Sequence, residues 1–113
     1  MKLTLPHHTT QEKAIKILDQ KARELIDNAK KDFPWVTIVD PKKEWDDNIL
    51  RFSFTVEKMM MTLDFEGLII ITDRAVIGET DIPPIVTTFF PEEIIREKIT
   101  AEFNKLFNIT GLF

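Results

Sequence analysis

The side chains with the greatest potential for chemistry are two adjacent histidines, His7 and His8, near the start of the chain. Imidazole is a common metal ligand and a common acid–base group. Adjacent residues on an extended chain point to opposite sides, however, so this pair is poorly placed to hold one metal ion. We therefore expect one histidine to cap or pack against the helix that follows, and we predict no metal site.

Two pairs of carboxylates, Asp46-Asp47 and Glu92-Glu93, could in principle supply a general acid and a general base. The first pair lies in a predicted turn and the second at a predicted helix start, where acidic side chains stabilise the backbone. The chain has no cysteine, its single serine is Ser53, and its three glycines form no phosphate-binding loop. We therefore predict no catalytic residue, no cofactor and no enzyme activity.

Apolar residues outside the expected core suggest a binding surface instead. Met59-Met60-Met61 on a strand would place at least one side chain on each face, and methionine suits variable apolar partners. The segment Ile85 to Phe90 is unusually apolar for a connection. We expect it to be buried where it crosses the sheet edge, the alternative being a pocket mouth or contact patch. The candidate ligand or interface residues are His7, Trp35, Trp45, Met60, Ile85, Phe89 and Phe90.

A long helix is predicted directly after the histidines. Thr9 and Thr10 are both good N-caps, and Glu12 follows Thr9 at the spacing of a capping box. Apolar residues then recur every three or four positions to about Lys31. Phe33-Pro34 ends the helix, because the residue before proline avoids the helical conformation.

The segment Ile49 to Ile82 alternates between apolar and polar residues, which predicts a ladder of strands. Reversals are expected at Glu57-Lys58 and at Asp73-Arg74. Gly67 occupies a core-facing position inside a strand and predicts a bulge or bend. Upstream, two shorter strands are expected at Lys2 to Leu5 and Trp35 to Val39, and the second is followed by a polar turn at Asp40 to Glu44.

A second helix is predicted after Pro91, with Glu92 and Glu93 at its positive end and a broad apolar face. The elements occur in the order β-α-β-β-β-β-α. The sequence therefore predicts an α+β fold in which a curved antiparallel sheet of four to five strands carries a long N-terminal helix and a C-terminal helix on one face. Residues 1–113 show no linker, so we expect a single domain.

Composition excludes several classes of function. The 113 residues carry a net charge of −4, so a general basic field for nucleic acid is absent. No apolar run approaches the roughly 20 residues needed to span a bilayer, and the N-terminus has no apolar leader. We expect a cytoplasmic protein with no transmembrane segment and no nucleic-acid partner.

Several short motifs occur in a distinctive order along nearly the whole chain. They are the histidine and threonine-capped helix start at His7 to Ala14, Arg51-Phe52-Ser53, Gly67 to Asp73, Ile82-Pro83, the apolar stretch Ile85 to Phe90 and Glu97-Lys98-Ile99. This order resembles the polyhydroxyalkanoic acid system family, small bacterial proteins of polyester-granule loci. Lys13 departs from the family pattern by replacing an acidic residue, and Phe90-Pro91 stands where the family favours glycine or lysine. The resemblance implies a granule association and no catalytic residues.

The sequence thus predicts a non-enzymatic domain that binds an apolar ligand, a lipid-like or granule surface, or a protein partner. One alternative is a structural module that dimerises through an edge strand, with Lys2 or Arg51 nearby. A further alternative is a small enzyme with a pocket under the C-terminal helix. That enzyme would need titratable groups on the concave side, whereas the alternation predicts that Arg51, Asp64 and Glu66 point outward.

Overall fold

The computed structural model describes residues 1–28 and 37–107. Within them the chain forms five strands and three helices. In chain order these are β1 (Lys2–Pro6), α1 (Gln11–Asp27), β2 (Thr37–Asp46), β3 (Ile49–Lys58), β4 (Met61–Ile71), β5 (Ala75–Thr80), α2 (Pro84–Phe89) and α3 (Glu92–Leu106).

The five strands form one open antiparallel sheet in the order β1-β5-β4-β3-β2. The hairpin of β3 and β4 is its longest pairing and runs from Ile49 opposite Ile70 to Lys58 opposite Met61. β5 covers only Gly67 to Ile71 of β4. The predicted α+β fold with an antiparallel sheet is confirmed.

The hydrophobic core lies at one end of one sheet face. Ile71 of β4 and Val76 of β5 are cross-strand partners there, and both are buried. Ala14 of α1 and Phe103 of α3 are buried against them. Ala14 has only a methyl group, which lets α1 approach the sheet closely. Both long helices therefore pack on the same face, which we call the helix face.

The opposite face of the sheet, which we call the outer face, carries charged residues toward the β3–β4 hairpin tip and the apolar Ile49, Ile70 and Ile77 at the other end. Asp64 and Glu66 are exposed there, because they alternate with the helix-facing Phe65 and Gly67 along β4. Arg51 is also exposed and lies opposite Glu44 and Leu68 in the same cross-strand row. The predicted outward direction of these three charged groups is confirmed.

The start of α1 differs by one residue from the predicted capping box. The N-cap is Thr10, whose Oγ1 accepts a hydrogen bond from the Lys13 backbone N–H at 3.2 Å. The residue three positions after this cap is Lys13 rather than Glu12, so no capping box forms. The predicted helix end at Phe33-Pro34, and Trp35 with it, lie outside the described residues.

The predicted polar turn at Asp40 to Glu44 is wrong, because these residues lie inside β2. The register with β3 shifts between Val39 and Lys42, and Asp40 has a positive φ of 53°. A bulge at this point absorbs Pro41, which β2 tolerates because it is an edge strand. Polar composition and proline therefore marked an irregularity within a strand, not the end of one.

The predicted bulge at Gly67 is absent, since the register with β3 passes through this residue without a shift. The glycine is required for a different reason. A Cβ at this position would lie 2.7 Å from Cζ of Phe52, its cross-strand partner, and 2.6 Å from the backbone oxygen of Glu79. The missing side chain leaves room for the Phe52 ring above β4.

Two predictions about connections are also wrong. The β3–β4 reversal is not at Glu57-Lys58, which remain in β3, but at Met59-Met60. The apolar segment from Ile85 is not a loop: residues Pro84–Phe89 form the short helix α2. Proline at its first position fits a helix start, since the missing N–H would have no partner there in any case.

Candidate functional site

His7 is a structural residue in this fold. It is buried, with 1% of its surface exposed, and its ring stacks with Phe107. Nδ1 accepts a hydrogen bond from the Thr9 backbone N–H at 3.1 Å, so Nε2 carries the proton and donates to the Thr72 carbonyl at 2.9 Å. Both ring nitrogens are occupied. The geometry agrees with the expectation that one histidine packs or caps, and it leaves no nitrogen for a metal or a substrate.

Trp45 takes part in a polar contact between α1 and the edge of the sheet. Its indole Nε1 donates to Oδ1 of Asp19 at 2.8 Å, and Lys43 Nζ contacts the same oxygen at 2.7 Å. Arg23 contacts the other carboxylate oxygen at 2.9 Å. The hydrogen bond from Lys43, followed by the one from Trp45, lowers the pKa of Asp19. The carboxylate is therefore held ionised, which suits an anchor and not a proton-transfer group.

The strongest candidate for a binding surface is apolar and exposed. Phe89 and Phe90 expose 71% and 59% of their surface, and Ile85 is also exposed. The expected burial of this segment is therefore wrong. α2 is only six residues long, has no side-chain cap and carries no buried residue, so nothing draws its aromatic side chains into the core. Ile94 and Ile99 of α3 are also exposed.

A second exposed apolar group forms the tip of the β3–β4 hairpin. Met60 is fully exposed and Met59 exposes 86% of its surface. Both have positive φ, 49° for Met59 and 71° for Met60, as the central residues of a two-residue hairpin require. Asparagine and glycine adopt this conformation readily, whereas other side chains adopt it at an energetic cost. Two methionines thus occupy a turn that disfavours them, with their side chains in solvent.

These two groups lie toward the same end of the sheet. β5 ends at Thr80, opposite Gly67, and Asp81, Ile82 and Pro83 then line a groove together with Asp64 and Phe65. The chain therefore continues past the end of β5 toward the hairpin tip before α2 begins. α3 runs back from there and reaches His7 through Phe107. We call the exposed side chains of the tip and of α2, namely Met59, Met60, Ile85, Phe89 and Phe90, the apolar end.

Two open depressions in the described structure lie on the outer face. One of about 760 Å³ is lined by charged and polar residues of the outer face, including Arg51, Glu66 and Glu79. A second of about 540 Å³ lies beside it and includes Asp64 and Asp81. Neither lies under α3, where the enzyme alternative would require a pocket.

Across residues 1–28 and 37–107, no three histidine, aspartate or glutamate side chains are grouped so that they could hold a metal ion. No helix in these ranges is long and apolar enough to cross a membrane. Of the candidates predicted from the sequence, Met60, Ile85, Phe89 and Phe90 are exposed, whereas His7 and Trp45 take part in structural contacts.

Sequence reasoning did not identify the residues that hold the end of β4. The Ile71 carbonyl accepts hydrogen bonds from Gln11 Nε2 and Asn48 Nδ2, each at 2.8 Å. It also did not identify Asp19 as a partner of Lys43 and Trp45. Asp19 lies on the polar side of a predicted surface helix, and its partners follow more than 20 residues later, so no local pattern links them.

Comparison with known proteins identified no relative of this chain. A scan against protein-family models, a search of curated proteins and a search of solved structures each found no match. The resemblance to the polyhydroxyalkanoic acid system family stays a prediction.

Proposed function

We propose that this protein is a non-enzymatic module that attaches to a neutral lipid-like surface through its apolar end. The observation that carries the proposal is the exposure of two adjacent phenylalanines, Phe89 and Phe90, at 71% and 59%. Aromatic side chains supply large apolar contact area and commonly lie at the boundary of lipid and water. Burying one such side chain contributes about 1.5–3 kcal/mol.

The charge around the apolar end favours a neutral surface over an anionic one. Glu92 and Glu93 occupy the first turn of α3, just after Phe90-Pro91, while Glu57 and Lys58 offset each other next to the hairpin tip. The chain as a whole has a charge of −4. Anionic lipids attract basic segments and repel acidic ones. The resemblance to granule-associated proteins points to the same class of surface, a polyester granule in the cytoplasm.

Flotation with triolein droplets coated with phosphatidylcholine tests the proposal. The wild type is expected to float with the droplets, and adding phosphatidylserine is expected to weaken binding. The double variant Phe89→Ser/Phe90→Ser is expected to bind at least tenfold more weakly, since two apolar side chains no longer enter the lipid. Val39→Ser is the control, because Val39 is an exposed apolar residue of the outer face.

A second variant separates binding from stability. Met59→Asn/Met60→Gly replaces two methionines in left-handed conformations with residues that favour this turn. It is expected to raise the free energy of unfolding by about 1 kcal/mol or more, because such conformations cost about 1–3 kcal/mol each. It is also expected to bind droplets more weakly. A wild type that does not float, or serine and turn variants that float equally well, would exclude the proposal.

Dimerisation through an edge strand is the second candidate. In the part of the chain that the structure describes, no strand pairs with the outer edge of β1 or of β2. Lys2 lies on β1 and contacts Glu79 at 3.5 Å, whereas Arg51 lies on the interior strand β3. Light scattering at low micromolar concentration tests this candidate: a dimer supports it, and a monomer excludes it.

A further inference from the structure

Among the described residues, half of β4 has a strand partner on only one of its sides. β3 pairs with β4 from Ile70 back to Met61, but β5 pairs with it only from Ile71 back to Gly67. Residues Met61 to Glu66 therefore have no strand partner on the β5 side within the described chain. We call this side of Met61 to Glu66 the open edge of β4.

The backbone groups that face the open edge follow from the register. The Ile71 N–H donates to the Asn48 carbonyl on the β3 side, so alternate residues back to Met61 also direct their backbone groups to β3. Thr62, Asp64 and Glu66 direct theirs to the opposite side. The Glu66 carbonyl accepts a hydrogen bond from the Thr80 hydroxyl at 2.8 Å, which marks where β5 ends. The N–H and C=O groups of Thr62 and Asp64 are thus directed to the side where Asp81, Ile82 and Pro83 line the groove, and no backbone group of the described chain hydrogen-bonds to them there.

The side chains along this edge indicate which residue types a complementary strand should contain. On the outer face they are Thr62, Asp64 and Glu66, and Asp81 lines the same groove of about 540 Å³. On the helix face they are Leu63 and Phe65. Residues of a paired strand alternate between the two faces. An added strand would therefore match this edge with basic residues on the outer face and apolar residues on the helix face.

A second copy of the chain does not meet this requirement. Two copies paired about a two-fold axis would bring Asp64 and Glu66 of one copy against the same residues of the other. Like charges directly opposite each other destabilise a pair of strands. We propose that the open edge of β4 binds an extended peptide segment whose residues alternate between basic and apolar, and that it does so by adding a strand to the sheet. This surface adjoins the apolar end but shares none of its residues.

The test uses a labelled heptapeptide of alternating sequence, Lys-Ile-Lys-Val-Lys-Ile-Lys, and the full chain. Fluorescence anisotropy is expected to show binding that weakens with added salt. Two control peptides are needed: one with glutamate in place of lysine, and one with the same composition but the lysines grouped together. Both are expected to bind at least tenfold more weakly, because neither matches the alternation and charge of the edge.

Amide hydrogen exchange locates the peptide. On binding, the amides of Thr62 and Asp64 are expected to gain protection. The amides of Leu63 and Phe65 already face β3, and they serve as internal controls that change little. Asp64→Asn/Glu66→Gln is expected to weaken binding at least fivefold. Asp46→Asn/Asp73→Asn removes the same charge from exposed residues at the other end of the sheet and is expected to have an effect below twofold.

Several results would overturn the proposal. They are no binding of the alternating peptide at millimolar concentration, equal binding of the grouped-lysine peptide, protection that appears elsewhere in the sheet, and self-association of the chain that itself protects Thr62 and Asp64. Phe89→Ser/Phe90→Ser is expected to leave peptide binding unchanged, so this test and the droplet test fail independently.

Discussion

Asp19 joins two elements that are distant in the sequence. Its carboxylate accepts hydrogen bonds from Lys43 and Trp45 of β2 while it also pairs with Arg23 on its own helix. The side chain of Asp19 is 21% exposed, so solvent screens these interactions only in part. The rest of the interface between α1 and the sheet consists of Ala14 and its apolar neighbours, which are less directional. The polar contact of Asp19 therefore determines which side of α1 faces the edge strand β2.

Replacing Asp19 by asparagine is expected to lower the free energy of unfolding by about 1–2 kcal/mol at neutral pH, because charge-assisted hydrogen bonds are lost. The pKa of Asp19 is lowered in the folded state, mainly by the hydrogen bond from Lys43. The stabilisation is therefore complete above the usual aspartate value of 3.8 and is lost as the pH falls below it.

Urea denaturation of the wild type and of Asp19→Asn between neutral and acidic pH measures this effect. The difference between the two proteins is expected to shrink as the pH falls below 3.8. Asp27→Asn, an exposed residue of the same helix, is the control and is expected to change stability little. A difference that stays constant across the pH range would contradict this role for Asp19.

At the scale of elements, Gly67 shows how a strand residue can be required by its neighbours. The ring of Phe52 and the backbone oxygen of Glu79 occupy the space that a side chain would need. Neither Gly67 nor Gly78 has a positive φ, so backbone conformation does not explain either glycine. Gly78, in the adjacent strand β5, has no atom within 4 Å of an added Cβ. Gly78 is therefore a suitable control for the effect of adding a side chain at Gly67.

Gly67→Ala is expected to destabilise the protein by about 1–3 kcal/mol, because the added methyl group must displace the Phe52 ring and the β5 backbone. Gly78→Ala is expected to be neutral or slightly stabilising, since alanine restricts the unfolded chain more than glycine does. Urea denaturation measures both. Combining Gly67→Ala with Phe52→Leu should recover part of the loss, and equal effects of the two alanine substitutions would contradict the close approach at Gly67.

The strands and the two long helices could be predicted from the sequence because their apolar residues repeat with the period of the element. The connections could not, for physical reasons. Met59-Met60 lacks the asparagine or glycine that normally identifies a two-residue turn. Asp40-Pro41 looks like a turn because the sequence does not show that β2 is an edge strand, where a bulge with proline is tolerated. α2 is too short for a helical period to be recognised.

At the scale of the whole molecule, part of the apolar end could be predicted and part could not. Runs of methionine and of phenylalanine in the sequence identified Met60, Phe89 and Phe90 as candidates for a binding surface. Whether these side chains are exposed depends on which helices and strands cover them, and the sequence does not show this. The open edge of β4 depends on β5 being shorter than β4, which is a property of the register and not of any residue type. An open strand edge that results from unequal strand lengths therefore cannot be identified from sequence motifs.

The uneven distribution of the core predicts an uneven distribution of stability. Ile71, Val76, Ala14 and Phe103 are buried at one end, whereas α2 at the other end has no buried residue. Local opening costs little free energy where few apolar contacts must be broken. Amide hydrogen exchange followed by mass spectrometry is expected to show slow exchange in β4 near Ile71 and in β5. α2 and the first turn of α3 are expected to exchange much faster, without global unfolding.

Binding to coated triolein droplets is expected to slow exchange in α2 and at the hairpin tip while leaving β5 unchanged, because the apolar end then lies in lipid. Phe89→Ser/Phe90→Ser should abolish this change and keep the exchange pattern of the free protein, since neither side chain contributes to the core. Exchange in α2 that is as slow as in β4 without lipid would contradict the uneven stability. Protection spread evenly over the sheet with lipid would contradict attachment through one end.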